Sequence, residues 1–184
     1  MHRPPPDAIR RGRLKLALLA LFFAAPFVLA WLAWWLDWAP GTTSNYGELI
    51  TPARPLEGAP LDQLRGKWVL VTFDRAACDA YCERKLYFMR QVRRAQGKDQ
   101  ERIARLWLVT DGGQPHPELL ASIRGTVVGP GSAADARFPA SGARSDHIYV
   151  VDPLGNLMMR YPRDPDPSRM LKDLQRLLKV ASFG

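Results

Sequence analysis

The sequence predicts an α/β domain carried behind a single N-terminal transmembrane helix. Three observations support this. A run of 21 residues, Leu16–Leu36, carries no charge; from Leu61 onward short apolar runs alternate with amphipathic ones; and the only two cysteines, Cys78 and Cys82, sit where the first strand pattern gives way to a helical one.

About 20 apolar residues suffice for a helix to cross a bilayer. Arg3, Arg10, Arg11, Arg13 and Lys15 precede the run, and Trp31, Trp34, Trp35 and Trp38 mark its far end. Basic flanks stay cytoplasmic and tryptophan rings settle at the headgroup boundary. The expectation is a cytoplasmic basic tail over residues 1–15 and a span over 16–38. The chain would be a single-pass protein of the bacterial inner membrane with its C-terminal domain in the periplasm. Pro26 falls in mid-span, which membrane helices tolerate. The competing reading is a cleaved signal peptide ending at Val28-Leu29-Ala30. Against it, the apolar run continues through four tryptophans. Either way the domain lies outside the cytoplasm.

Formal net charge is +8, but residues 41–184 hold 21 basic against 16 acidic residues. No basic run is interleaved with aromatics as single-stranded nucleic acid binding requires, so nucleic acid is not an expected partner. Residues 39–60, rich in Pro, Gly and Thr, read as a linker with a short hairpin around Leu49–Leu56. Residues 61–184 suffice for one domain with its own core.

Within that domain, Lys67–Phe73 is a short, nearly continuous apolar run with β-branched residues, the pattern of a strand buried on both faces. Leu86, Phe88, Met89 and Val92 recur at helical spacing, predicting a helix over 79–95 with Gly97 as its stop. Arg105–Thr110 is a second buried strand ending at the turn Asp111-Gly112-Gly113. Pro117–Arg124 is a short helix with Pro at its start, and Gly125–Ser145 reads as mostly irregular. His147–Val151 and Leu157–Tyr161 flank the hairpin signal Asp152-Pro153-Leu154-Gly155-Asn156. Ser168–Val180 is amphipathic, with Ser168 available as cap. A βαβ half followed by ββα, with a cysteine pair at the first strand-to-helix junction, is the thioredoxin-like arrangement.

The first helical turn offers unpaired N–H groups and the positive end of the macrodipole, with Arg75, Arg84 and Lys85 nearby in sequence. Both thiols are therefore expected to be more acidic than free cysteine. The i, i+4 spacing suits a disulfide or two thiolates on one metal ion. Two thiolates are too few for structural zinc but suit Cu(I), particularly with one imidazole. His2 lies across the membrane, leaving His147, which directly precedes a late strand, and His116, which reads as an ordinary surface histidine.

The N-terminal anchor, LDQLRGKWVLVTF, CDAYC opening a helix, LWLVTDGGQPHPELL, DHIYVVDPLGNLMMRYP and a closing amphipathic helix together resemble the Sco/SenC family over about residues 47–180. Its members are membrane-anchored, thioredoxin-like proteins that help assemble the copper centres of cytochrome c oxidase. The resemblance implies that Cys78, Cys82 and His147 hold Cu(I), and that Cys78 and Cys82 also act catalytically in reducing copper-ligand disulfides. The implied partners are the copper-bearing subunit of cytochrome c oxidase or another copper carrier. Glu83 stands where the family carries proline, and Arg75-Ala76-Ala77 replaces the usual lead-in. His147 lies closer to the hairpin turn than the family histidine does.

Two alternatives remain at this level: a general periplasmic thiol–disulfide oxidoreductase, or a non-catalytic thioredoxin-like binding domain with a structural disulfide. Asp111-Gly112-Gly113 lacks the lysine of a phosphate loop. Met158 and Met159 are soft sulfur donors. Asp74, Asp79 and Asp146 are placed to tune the site's charge, and Ser141 and Ser145 have no hydrolytic partners.

Overall fold

The computed structural model describes residues 6–36, 45–58, 60–131 and 137–180. The chain forms two units, divided between Thr43 and Ser44. Among the described residues the first contains one helix, α1 (Pro6–Trp35), which runs continuously through Pro26. Its segment Arg11–Trp35 is long and apolar enough to cross a membrane, with exposed side chains. At about 1.5 Å per residue those 25 residues exceed a hydrocarbon core of about 30 Å. Trp38, expected at the end of the span, lies outside the described residues, as do residues 1–5 of the basic tail and 39–44 of the linker.

The second unit is a six-stranded sheet with helices packed on it. Its strands are β1 (Glu48–Pro55), β2 (Trp68–Asp74), β3 (Ile103–Val109), β4 (Thr126–Pro130), β5 (Ile148–Val151) and β6 (Asn156–Tyr161). They lie in the order β1-β6-β5-β2-β3-β4. β2, β3 and β4 run parallel, while β5, β6 and β1 are added antiparallel. The helices are α2 (Ala80–Arg94), α3 (Pro117–Ser122) and α4 (Pro167–Val180).

β2 is central, and alternation sends its side chains to two cores. Val69, Val71 and Phe73 meet Leu106, Leu108, Phe138 and Tyr149 on one face. Trp68 and Leu70 meet Ile103, Val150 and Met159 on the other, beneath Met89 and Val92 of α2 and Met170, Leu174 and Leu178 of α4. The i, i+4, i+8 spacing of the α4 trio keeps one stripe buried, each such side chain contributing about 1.5–3 kcal/mol. A third cluster joins Cys78, Cys82 and Leu86 to Trp107, Val109 and Ile123 where β2 and β3 end.

Four expectations change. Residues 48–55, read as linker with a local hairpin, are edge strand β1 paired with β6; an edge position accommodates Pro52 and Pro55. Residues 126–130, read as irregular, are the opposite edge strand β4. Gly97 does not terminate α2: the helix ends at Arg94, and Gly97, at φ +59°, opens a 3-10 turn to Arg102. Asp166, not Ser168, caps α4, its Oδ1 accepting from the Ser168 N–H at 2.8 Å, because Pro167 takes the first helical position.

Candidate functional site

The loop from Arg75 to Asp79 leaves the end of β2 and enters α2. Asp79 caps that helix, its Oδ1 accepting from the Cys82 N–H at 2.9 Å. Cys78 precedes the cap at φ +28°, its N–H donating to the Arg75 carbonyl at 3.0 Å. Asp111, in the turn after β3, braces the loop from below: Oδ1 accepts from Ala76 N–H at 3.0 Å and from Gly113 N–H at 3.2 Å. These bonds, the Ala76 one foremost, hold its carboxyl below the usual range. A Cβ on Gly113 would meet the Ala76 Cβ at 2.7 Å, so the close approach requires glycine there.

Cys78 and Cys82 are joined as a disulfide, with Cα atoms 5.2 Å apart. The expectation of two acidified thiols therefore does not describe this state, since neither sulfur titrates. Cys82 is completely buried, whereas Cys78 is 7% exposed and lines a cleft of 580 Å3 with Glu83, Gln114, His116 and Glu118. Of the two cysteines, Cys78 and not Cys82 lines this cleft.

The cations expected to acidify the thiols are engaged elsewhere. Arg75 Nε lies 3.6 Å from Asp111, and Arg84 is 2.6 Å from Asp164. Lys85 is 1% exposed; its Nζ lies 2.9 Å from Asp74 Oδ2, 3.4 Å from the Phe73 carbonyl, and also donates to the Ser145 carbonyl. Burial pushes its ammonium down, and Asp74 pushes it partly back up. Tyr81, between the cysteines, packs its ring against Lys85 at 5.0 Å and Arg84 at 5.3 Å, and donates its hydroxyl to the Asp146 carbonyl. Of the acidic residues expected to tune the site, Asp74 holds Lys85, Asp79 caps the helix, and Asp146 faces Arg163 at 3.8 Å.

His147 is buried. Its Nδ1 lies 2.9 Å from the Tyr161 carbonyl, its ring packs on Tyr149, and Nε2 has no hydrogen-bond partner among the described residues. No three His, Cys, Asp or Glu side chains among the described residues come together to hold a metal ion. The expected set of Cys78, Cys82 and His147 is thus not assembled in this state: the sulfurs bond each other and the imidazole is anchored to β6. His116, read as an ordinary surface residue, is exposed and lines the Cys78 cleft, 4.0 Å from Glu118. Met159 is in the core and Met158 packs against the same cluster.

Residues 68–181 match the family model described as transmembrane-like, thioredoxin-like, C-terminal domain. The chain belongs to this family. No curated protein matches it in sequence. Among solved structures, the apo Sco1 protein from Thermus thermophilus is similar, with 22% identity and a TM-score of 0.55 over 75% of this chain and 99% of that one. Copper-bound yeast Sco1 gives 17% identity and 0.56, over 67% and 84%. Copper-bound ScoI of Bradyrhizobium japonicum gives 21% and 0.50, over 63% and 88%. These likenesses establish the thioredoxin-like fold, as the Sco/SenC resemblance implied. In this family member Cys78 lines the cleft, and Cys82, bonded to it, is enclosed in the cluster beneath.

Proposed function

We propose that this chain is a membrane-anchored assembly factor for cytochrome c oxidase that exchanges thiols and disulfides through Cys78 and Cys82. One observation carries the reading: a bonded cysteine pair at a helix start, with Cys78 opening on a cleft and Cys82 fully enclosed. In the reducing direction, the Cys78 thiolate attacks a copper-ligand disulfide of the partner, displaces one partner thiolate and forms a mixed disulfide. Cys82 then attacks Cys78, releasing the second partner thiolate and closing the disulfide seen here. Basic residues before the anchor and tryptophans after it support an N-terminus in the cytoplasm and a domain in the periplasm.

The test uses the reduced full-length chain in detergent and an oxidised peptide carrying the partner's cysteine pair. Wild type reduces the peptide, Cys82→Ser stops at a mixed disulfide through Cys78, and Cys78→Ser is inactive. Full activity in Cys78→Ser overturns the reading.

Copper enters as cargo of the reduced pair, a reading favoured by the copper-bound Sco structures that share the fold. Two soft thiolates suit Cu(I), and His147 Nε2, free of protein bonds among the described residues, is the third donor. Anaerobic titration should show one-to-one Cu(I) binding that is lost in Cys78→Ser and weakened in His147→Ala. Binding unchanged in Cys78→Ser excludes the cargo role.

A further inference from the structure

The cleft beside Cys78 continues past the cysteine. It adjoins a second cleft of 430 Å3 along α2, and the two share Glu83, Leu119 and Ser122, making one groove between α2 and α3. Cys78 lies at one end and Arg90 at the other. From Ala80 to Arg90 the helix advances about 15 Å at roughly 1.5 Å per residue.

The ends differ in charge. Glu83 and Glu118 line the cysteine end. At the far end Arg90 is held in place, Nη1 donating to the Ser122 carbonyl at 2.6 Å and the guanidinium lying 5.5 Å from the Tyr87 ring centre. Arg105 of β3 lies nearby at 3% exposure. Its Nη2 donates to the Arg124 carbonyl at 2.7 Å, but Nε and Nη1 have no partner among the described residues, and neither does the buried Nε of Arg90. Burial, then Arg93, Arg90 and Arg94, push the Arg105 guanidinium down to about 10. Glu101 faces this group through Arg93, at 2.9 Å, and is itself exposed. Arg90 lines the groove itself, and Arg93, Arg94 and Arg105 behind it add positive potential, so this end of the groove favours an anionic group.

We propose that this groove receives an extended segment of the redox partner's chain, with the partner cysteine at Cys78 and an acidic side chain four to five residues away on Arg90. The proposal rests on the exchange reading above. An extended chain advances about 3.3 Å per residue, so four to five residues span about 15 Å. In the step itself the Cys78 thiolate attacks the partner cysteine's sulfur. A Cys78–partner bond forms as the partner's disulfide breaks, and the departing sulfur leaves as a thiolate with the electron pair.

The test mixes the reduced full-length chain in detergent with peptides whose single cysteine is disulfide-linked to thionitrobenzoate, whose release is followed by absorbance. One peptide carries Asp five residues from the cysteine, its counterpart Lys. At low salt the Asp peptide should react about threefold to tenfold faster, and high salt should narrow the gap. Arg90→Glu should reverse the order, and Arg90→Lys should keep it. Equal rates for the two peptides, or an unchanged order in Arg90→Glu, overturn the groove assignment when glutathione-linked thionitrobenzoate still reacts with wild type. If that small disulfide also fails to react, the exchange reading falls and this proposal with it.

Discussion

Lys85 shows what a single residue contributes here that spacing in the sequence does not. It lies three residues beyond Cys82 and reads as a cation available to a thiolate. In the fold its ammonium is enclosed and ties together the end of β2, the start of α2 and the loop before β5. Removing one partner of a buried pair costs more than removing both, because the survivor is left without its counter-charge. Lys85→Met should destabilise the domain by about 2 kcal/mol, and Lys85→Met with Asp74→Asn should recover at least about 1 kcal/mol of that, by the coupling expected of contacting charges. Urea unfolding of the single and double variants measures it, and additive losses would refute the coupling. Burial lowers the Lys85 ammonium below 10.5, so the unfolded chain binds the extra proton between the lowered value and 10.5. Wild-type stability relative to Lys85→Met therefore grows as pH rises through that window.

At the scale of elements, long periodic segments were legible and edges were not. α2, α4, β2 and β3 each bury a stripe or both faces, and burial writes itself into the order of apolar residues. β1 and β4 are edge strands bonded on one side, so their sequences tolerate Pro52, Pro55, Gly129 and Pro130 and resemble loop. Gly129 moreover serves close packing, since a Cβ there would meet Pro60 at 2.8 Å. The site divided in the same way. Cys78 and Cys82 were visible from spacing, whereas His116, Glu118 and Arg90 reach the groove only through the packing of α2 against α3. Asp111-Gly112-Gly113 was legible as a turn, but its role under the cysteine loop depends on contacts 35 residues apart in sequence. Capping shows the same limit: Ser168 fits the pattern, yet Asp166 accepts from Ser168 N–H at 2.8 Å and from Arg169 N–H at 3.4 Å. Asp166→Ala should cost about 1 kcal/mol, as lost N-caps do, and Ser168→Ala much less, read from the shift in urea midpoint.

For the whole molecule, the question is whether the disulfide supports the fold or only does chemistry on it. The two large cores on either side of the sheet contain no sulfur bridge; the pair belongs to the smaller cluster at the ends of β2 and β3. The bridge joins residues only four apart, and closing so short a loop removes little entropy from the unfolded chain, worth about 2 kcal/mol in stability. Reduction should therefore leave the domain folded, with a stability loss of no more than about 2 kcal/mol. By linkage, folding then lowers the pair's potential by only about 40 mV relative to the unfolded chain, which keeps the reduced state within reach of dithiol partners. Urea unfolding with and without a phosphine reductant measures the loss. If the domain unfolds on reduction, the bridge is a structural staple, and a chain that must pass through the dithiol in every turnover does not act as an exchange factor. A small loss, together with reversible reduction, is what a working cysteine pair on a self-sufficient core requires.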